Sequence, residues 1–462
     1  MSPLTPSHGN GTECHYWGYS FYWTSEHHSK EELWHMVHTY DALADECVQI
    51  LNKIPSGDSD KPFRKDFYGL LKEHADEDPK LKELWTQINT FPEWVDWGQI
   101  ERAQNTFYRY GLPILNALSF ESLLGGMGSQ RVVETLTRTG GFGVKVVHRR
   151  LLETLQHILQ VNESIDAMRP GGEGSVSSVR VRLLHSCVRQ KILGLADEQP
   201  EYYDVAKHGV PVSDLDCIGT ISTFCSTVVW MGLPRQGIYL REAEIADYIA
   251  LWRLVAYYMG TPIEPFENPT RAKAWMESLL VSEFHPTDTG QVLAQNIILG
   301  LENTAPAYAS KGFMEAMGRL LNGEQLSDEL GLPHTGLYYR LLIWGYCFWI
   351  WGMAMVIPKI GFLDRFAISQ RRKRFRRMIR DEKVGLGGES KFDFKYIPTL
   401  RRRTTRLGQR RSIKIERRGV EFLAQLGLFV VFGATATLVL GLVFAMYEFP
   451  TSSPRLLNAI RV

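Results

Sequence analysis

Apolar residues recur at helical spacing along most of the chain, and no ladder of alternating residues predicts a sheet. The segment 29–51 has this period, and Ser29 is placed to cap a helix there. The same period, bounded by Pro, Gly or Asp, predicts helices over 63–77, 79–91, 99–111, 213–230, 241–259, 291–302 and 312–321. Residues 1–28 are expected to be irregular. The pattern predicts an all-α protein.

Two further predicted helices flank a glycine-rich break. A helical pattern runs over 144–167 and stops at the sequence Arg-Pro-Gly-Gly of 169–172. Ser177 or Ser178 is then placed to cap a second helix. The apolar face of that helix contains Val181, Leu184, Val188 and Ile192.

Two apolar stretches near the end of the chain differ in kind. Residues 422–447 carry no charge, and a membrane-crossing helix needs only about 20 apolar residues, so a transmembrane helix is predicted there. Residues 341–358 are shorter, rich in Trp and Tyr, and end at Pro358. This stretch is predicted to be an interfacial or protein-buried helix, with a second membrane span as the alternative.

Charge is distributed unevenly, although the formal net charge is only +1. The stretch from Lys359 to Arg418 holds 21 of the 52 Lys and Arg residues and 6 acidic residues. With one span, the positive-inside rule places this stretch and the main body in the cytosol, whereas two spans would put the body across the membrane. We favour one span, with residues 370–380 against anionic headgroups.

The N-terminus and the cysteines indicate the compartment. The first residues lack the basic region and apolar core of a secretory signal. Six cysteines are scattered along the chain without C-x-x-C pairs, which favours a reducing, cytosol-facing environment.

Several chemistries lose support because their motifs are missing from the sequence. It contains no G-x-S-x-G elbow, no phosphate-binding P-loop, no H-E-x-x-H and no aspartate-rich run. The N-terminal histidines have no common zinc spacing, and we interpret them as surface residues; they are His27, His28, His35 and His38.

His185 is a candidate iron ligand. Arg182, His185 and Arg189 stand at i, i+3 and i+7, so they share one side of a helix. A neutral imidazole there can bind haem iron axially, and the two guanidinium groups are suited to pair with haem propionates. The alternative is a surface histidine flanked by arginines.

Arg150 and Thr154 are candidate distal residues. They stand at i and i+4 on the preceding predicted helix, which places both side chains on one face. A guanidinium and a hydroxyl there can donate hydrogen bonds to dioxygen. The alternative is an ordinary surface pairing with Glu153 as a salt-bridge partner.

These segments resemble a family of haem-dependent oxygenases that includes the endoplasmic-reticulum-bound fungal oxygenase MpaB and the bacterial latex clearing proteins, or rubber oxygenases. The resemblance covers roughly residues 15–360. It rests on R-L-L-E-T at 150–154, V-R-L-L-H-S-C-V-R at 181–189, G-V-P at 209–211, D-C-I-G-T at 216–220, W-R at 252–253 with Gly260, and W-G-Y-S-F-Y-W-T from Trp17.

The resemblance implies an all-α domain with a globin-like core that binds haem b. His185 would be the proximal ligand, Arg150 and Thr154 would line the distal side, and Glu134 is a candidate base. The implied reaction is insertion of dioxygen into a carbon–carbon double bond of an isoprenoid chain. Rubber-cleaving members carry a lysine where this chain has Glu153, and they are secreted. A small apolar substrate is therefore expected in place of a polymer.

The predicted organisation has six parts. They are an irregular segment 1–28, a helical catalytic domain 29–340, an apolar helix 341–358, an Arg-rich juxtamembrane segment 359–421, a transmembrane helix 422–447 and a short tail 448–462.

The predicted function is that of a haem-dependent oxygenase at the membrane of the endoplasmic reticulum. Its partners would be an apolar small molecule, dioxygen and membrane lipid, without nucleic acid. One alternative is a non-catalytic anchored protein that binds lipid or a partner through its basic segment. Another is an enzyme that uses a different metal.

Overall fold

The architecture is helical, and the all-α prediction is confirmed. The computed structural model describes residues 9–55, 65–392, 398–400, 403–409 and 419–448, with side chains up to residue 444. Parts of the predicted segments 1–28 and 359–421, and nearly all of the predicted tail, therefore lie outside the described residues. Within the described residues, the α-helices are α1 Lys30–Leu33, α2 Ala42–Lys53, α3 Phe67–His74, α4 Pro79–Asn89, α5 Trp97–Arg109, α6 Gly111–Asn116, α7 Gln130–Thr139, α8 Val147–Val161, α9 Ile165–Met168, α10 Glu173–Glu198, α11 Val205–His208, α12 Asp214–Phe224, α13 Glu242–Tyr258, α14 Pro269–Ser282, α15 Asp288–Leu301, α16 Lys311–Glu329, α17 Leu337–Val356, α18 Gly361–Arg380 and α19 Val420–Glu448.

The N-terminal residues form a hairpin, so the prediction of an irregular segment is wrong for this part. Strand β1 (Glu13–Tyr16) pairs antiparallel with β2 (Tyr19–Tyr22). The two turn residues, Trp17 and Gly18, both have positive φ, as the tight hairpin turn requires. Four-residue strands are too short for their alternation to stand out in a helical sequence.

The helix predicted over 29–51 is two helices. Ser29 caps α1 as predicted, because its hydroxyl accepts from the Glu32 N–H while the Glu32 carboxylate accepts from the Ser29 N–H. A 3₁₀ turn follows α1, and α2 starts anew after Asp41, whose carboxylate accepts from the Ala44 N–H at 3.2 Å. A second good capping residue thus interrupts a continuous apolar pattern.

Helices α8 and α10 are the two predicted site helices, and they pack on each other. The predicted start of α10 is wrong, because Ser177 and Ser178 lie inside the helix and donate to the carbonyl of Gly174. A Cβ at Gly174 would lie 2.9 Å from the carbonyl oxygen of Gln160 and from Cα of Val161. Only glycine therefore allows the first turn of α10 to lie this close to the end of α8.

Two large apolar clusters form the core. One contains Phe107, Trp252 and Tyr258, and the other contains Met317 and Tyr346, all fully buried. Burial of each such side chain contributes about 1.5–3 kcal/mol. Residues of both clusters also line one large cavity, so the helices surround a space as well as a core.

Three described helical stretches are long and apolar enough to cross a membrane. The stretch Asp214–Gly232 is largely interior, since 61% of its apolar window is buried. The corresponding share is 28% for Leu337–Lys359 and 6% for Val420–Phe444. The last stretch matches the predicted transmembrane helix, and its apolar side chains are the most exposed of the three.

Helix α17 lies along the helical body, by which we mean α1 to α16. One face is buried against the body through Leu342, Tyr346, Ile350 and Ala354, spaced at i, i+4, i+8 and i+12. The Tyr346 hydroxyl is within 3.3 Å of the side chain of Asn116 on α6. One face of α17 is thus covered by protein, and the interfacial or protein-buried placement of 341–358 stays a prediction.

Helix α18 packs on the body through one of its faces, and the contact of residues 370–380 with anionic headgroups stays a prediction. Asp364 pairs with Arg109 of α5 at 2.7 Å, and Arg376 pairs with Glu163 at 2.6 Å and Glu173 at 3.2 Å. Of the seven basic residues in 370–380, Arg376 and Arg380 therefore pair with acidic groups of the body. Sequence patterns did not predict this arrangement, because Glu163 and Glu173 are about 200 residues away from Arg376.

Buried ion pairs join α10 to α2. Arg182 contacts Asp41 at 2.6 Å, and Arg189 contacts Asp45 at 3.1 Å. Both guanidinium groups are almost fully buried. Such pairs cost desolvation, yet removal of one partner leaves the other charge buried and unpaired.

We expect Arg182→Ala to lower the free energy of unfolding by about 3–5 kcal/mol, because Asp41 loses its partner. Unfolding in detergent, followed by circular dichroism, measures the change. Lys82→Ala is the matched control, since Lys82 pairs with Asp76 on the exposed surface at 3.1 Å, and it should cost at most about 1 kcal/mol. Equal effects of the two substitutions would contradict the structural role of the buried pair.

Candidate active site

A cavity of about 670 Å³ lies between α8, α10, α12 and the π-helical segment Ala117–Leu124. This volume is within the range of about 300–1,000 Å³ that is typical of ligand pockets. Most of the lining is apolar, including Leu118, Leu152 and Phe313. The cavity can therefore hold a large, flat or elongated apolar group with few polar contacts.

One face of α8 supplies three polar side chains to the cavity. Arg150, Thr154 and His157 stand at i, i+4 and i+7, and all three line it. A guanidinium N–H of Arg150 donates to the Thr139 hydroxyl at 3.3 Å, and the group lies over the ring of Phe142. The Thr154 hydroxyl donates to the Arg150 carbonyl at 3.3 Å. The predicted shared face is present.

His185 enters the cavity from α10. It lines the cavity beside Val181, Leu184 and Val188, and no hydrogen bond joins its ring to another residue that the structure describes. Burial lowers the pKa of His185 to about 4, and the positive charges of Arg189 and Arg150 act in the same direction. The imidazole is therefore neutral near pH 7, which is the form that binds a metal.

His157 is a second cavity histidine, and the sequence reasoning missed it. Its Nδ1 lies 2.9 Å from the Ser177 hydroxyl on α10, and burial lowers its pKa to about 4. Its position at i+3 from Thr154 places it on the same helical face, and this spacing could have predicted its place in the cavity. His148 also lines the cavity, and its Nε2 lies 2.7 Å from the carbonyl oxygen of Ala305. Of these three histidines, His185 is the one without a hydrogen-bond partner among the described residues.

Arg182 and Arg189 do not belong to the cavity lining. Both guanidinium groups turn to α2, where Asp41 and Asp45 bind them. Both residues stand within about 60° of His185 around the helix, so it is the reach of their long side chains to Asp41 and Asp45, and not their position on the helix, that takes them out of the cavity. This geometry gives no support to their predicted role as propionate partners, and they are left out of the site.

Glu134, the candidate base, also lies outside the cavity lining. Its carboxylate pairs with Arg138 at 2.6 Å, and that guanidinium lies between the rings of Tyr202 and Tyr203. Glu153 does reach the lining, where it accepts a hydrogen bond from the Ser390 hydroxyl at 3.0 Å. The geometry therefore does not support Glu134 as a base at this cavity.

A polar cluster on another wall was not predicted. Arg131 contacts Asp216 of α12 at 3.0 Å and Glu283 at 2.8 Å, and all three residues line the cavity. Among the described residues, Arg131 and Arg150 are the arginines that line the cavity. Asp216 belongs to the D-C-I-G-T motif, but Arg131 and Glu283 carried no motif of their own.

The segment after α17 completes the enclosure. Phe375 and Met378 of α18 line the cavity, as does Phe392, whose ring meets that of His157 edge to face. The backbone of Ser390 exchanges two hydrogen bonds of 2.8 Å with the Gln156 side chain on α8. Residues 361–392 are thus part of the cavity wall, which the predicted boundary after residue 358 did not anticipate.

The arrangement can perform a definite kind of chemistry. A neutral, unpartnered imidazole on one helix faces a space with a guanidinium and a hydroxyl on the neighbouring helix. The surrounding walls are apolar, which excludes water and strengthens every polar interaction inside. Such a site suits a flat iron-containing cofactor beside an apolar substrate.

Comparison with known proteins agrees with the motifs. Residues 110–350, just over half of the chain, match the family model described as ER-bound oxygenase mpaB/B'/Rubber oxygenase, catalytic domain. The rubber oxygenase of Streptomyces sp. (strain K30) is 22% identical over 272 residues, which cover 57% of this chain and 63% of that protein. Aurantioclavine synthase cnsA of Penicillium expansum is 53% identical over 51 residues, 10% of this chain and 11% of that protein. The matched regions thus span less than two thirds of these relatives.

A solved structure of latex clearing protein LCP in the closed state resembles the fold, with a TM-score of 0.55 and 18% identity. The similarity covers 73% of this chain and 91% of that one. At this identity it concerns the fold alone. From the family match over more than half of its length, together with the motifs at the cavity, the chain belongs to the family of ER-bound oxygenase mpaB and rubber oxygenase.

Proposed function

We propose that this protein is a membrane-bound, haem-dependent oxygenase that cleaves a carbon–carbon double bond of an apolar, isoprenoid-like small molecule with dioxygen. The observation that carries the proposal is the unpartnered, neutral imidazole of His185 in a large apolar cavity. A buried polar side chain normally has a partner, and a metal-bound cofactor supplies one here.

The residues present fit haem b. The cavity has sufficient volume, and His185 offers a neutral nitrogen for the iron. When bound, haem iron supplies the activation of dioxygen. The chain itself holds the cofactor, keeps water out and presents the N–H groups of Arg150 and the hydroxyl of Thr154 as hydrogen-bond donors that orient the reacting groups.

The substrate class follows from the lining. Apolar walls favour an apolar chain, while the cluster of Arg131, Asp216 and Glu283 provides one polar wall. One relative is named a rubber oxygenase and another an aurantioclavine synthase, so the substrates of family members differ. We propose a small molecule, because Glu153 occupies the place of the lysine of rubber-cleaving members.

Membrane attachment supports an apolar substrate. Helix α19 has the length and composition of a span, and its side chains from Phe432 to Phe444 are exposed. We propose that it anchors the protein in the endoplasmic reticulum, with the body in the cytosol beside its basic segment. An apolar substrate partitions into the bilayer, so the anchor holds the cavity close to the dissolved substrate.

The first prediction concerns the iron ligand. Purified full-length protein should show the visible absorption of haem, and His185→Ala should lose it while helicity is retained. His157→Ala is the matched control, since it removes another neutral cavity histidine but leaves the proposed ligand. Absorption spectra and circular dichroism of the three proteins measure this.

Two outcomes contradict this assignment at different levels. A folded wild-type protein that stays colourless after haem addition would overturn the haem proposal. Loss of the band in His157→Ala but not in His185→Ala would place the iron on α8.

The second prediction concerns the distal residues. Arg150→Ala and Thr154→Ala should keep the haem absorption but lower oxygen consumption with substrate, by about 10²-fold if each removes one essential donor. Gly141→Ala should act like Arg150→Ala, because the new Cβ would lie 2.4 Å from Nη1 of Arg150 and displace it.

Arg169→Ala is the control for charge, since Arg169 pairs with Asp166 at 3.1 Å on the exposed surface and neither residue lines the cavity. It should leave turnover within about twofold of wild type, as expected for a surface pair. Unchanged turnover in Arg150→Ala and Thr154→Ala would return both residues to the surface-pair interpretation.

A further inference from the structure

An exposed aromatic face runs along α17 on the side that does not touch the body. Trp344 and Phe348 stand at i and i+4 and are 66% and 54% exposed. Trp351 at i+7, 39% exposed, lies at the edge of this face next to Gly237 of the body. The opposite face of the same helix is buried. A contiguous apolar surface of this kind marks an interaction site, since isolated soluble proteins seldom expose one.

Exposed aromatic residues also begin α18, which the 3₁₀ turn Ile357–Lys359 joins to α17. Phe362 and Phe366, 65% and 61% exposed, follow directly after the end of α17. Further along this outer face lie basic side chains without ion pairs among the described residues: Arg365, Lys373, Arg374 and Arg377. Except for Arg365, which stands between Phe362 and Phe366, the unpaired basic residues thus follow the aromatic residues along the chain.

The inner face of α18 differs from the outer face, because its basic residues have partners in the body. Arg371 and Arg376 bind carbonyls and carboxylates of the body, and Phe375 and Met378 line the cavity. The basic residues of this helix therefore divide into a paired inner set and an unpaired outer set. Stabilisation of the fold accounts for the first set alone.

We propose that the exposed faces of α17 and α18 form a docking surface for an anionic lipid bilayer, which holds the cavity wall against the membrane. This inference rests on the membrane attachment in the proposed function. Aromatic residues prefer the bilayer interface and basic residues its anionic headgroups, so the two kinds of exposed residue on α17 and α18 match the layers of a membrane.

The neighbouring anchor favours a bilayer over other polyanions. Helix α19 crosses α17 at Gly345 and Gly427 before its exposed apolar part begins, so the aromatic face lies beside the membrane anchor. A nucleic acid would bind the basic residues but leave the five aromatic side chains in water. A bilayer would contact both the aromatic and the basic residues.

The test uses the full-length protein in nanodiscs of phosphatidylcholine alone, or of phosphatidylcholine and phosphatidylserine in equal parts. Acetylation of individual lysines, read by mass spectrometry, reports contact with lipid. We expect Lys373 to react about fivefold more slowly in the anionic discs. Lys72 and Lys191, exposed on other helices, should react equally in both.

A variant with Arg365, Arg374 and Arg377 changed to Glu keeps Lys373 as the probe and should lose its protection. The matched control reverses three charges elsewhere, Lys72→Glu, Lys82→Glu and Lys191→Glu, and should keep the protection of Lys373. Haem absorption and circular dichroism establish that both variants fold.

Equal reactivity of Lys373 in both kinds of disc would overturn the docking surface while leaving the anchor in place. Protection of Lys373 by added RNA, without protection by phosphatidylserine, would overturn it in favour of a soluble polyanion. Failure of the wild-type protein to enter discs would instead contradict the membrane attachment of the proposed function.

Discussion

The large apolar cavity is the constraint on which the rest of the structure depends. Helices normally hold together because their apolar side chains interlock, but across a space of about 670 Å³ they cannot touch. The helices around it are joined by buried ion pairs as well, which give them fixed positions without filling the centre. The pairs that do this are Arg182–Asp41, Arg189–Asp45, Arg131–Asp216, Arg131–Glu283, Arg109–Asp364 and Arg235–Glu121.

The same constraint explains the state of the candidate site. An apolar enclosure disfavours charge, which is why burial lowers the pKa of both His157 and His185 to about 4. A ring held neutral in this way has a nitrogen lone pair that can bind a metal. The ion pairs of Arg182 and Arg189 contribute indirectly, since they fix α10 against α2 and so aim His185 into the cavity.

The sequence predicted the parts of the site that depend on local periodicity. The shared face of Arg150 and Thr154 follows from the helical repeat, and so does the placement of His185 beside an apolar stripe. Periodicity states which side of a helix a residue is on, but not which distant group a long side chain will meet. Asp41, the partner of Arg182, is about 140 positions away in the sequence. The helical spacing therefore could not show that Arg182 binds this carboxylate and not a haem propionate. The cavity wall at Phe375 was missed for a related reason, because a run of arginines hides the apolar residues on the opposite face of the same helix.

Helix α18 lies between the cavity and the outer surface of the protein, and its composition follows from that position. On its inner side Phe375 and Met378 close the cavity, so this side must be apolar between its ion pairs. On its outer side Lys373 and Arg377 face away from the body, where no acidic partner is described. If only solubility were needed outside, acidic and basic residues would serve equally, whereas the charged residues exposed on this face are all basic. A single helix therefore separates an apolar space from a surface with the charge that a membrane attracts, and a substrate dissolved in the bilayer would have one layer of side chains to pass.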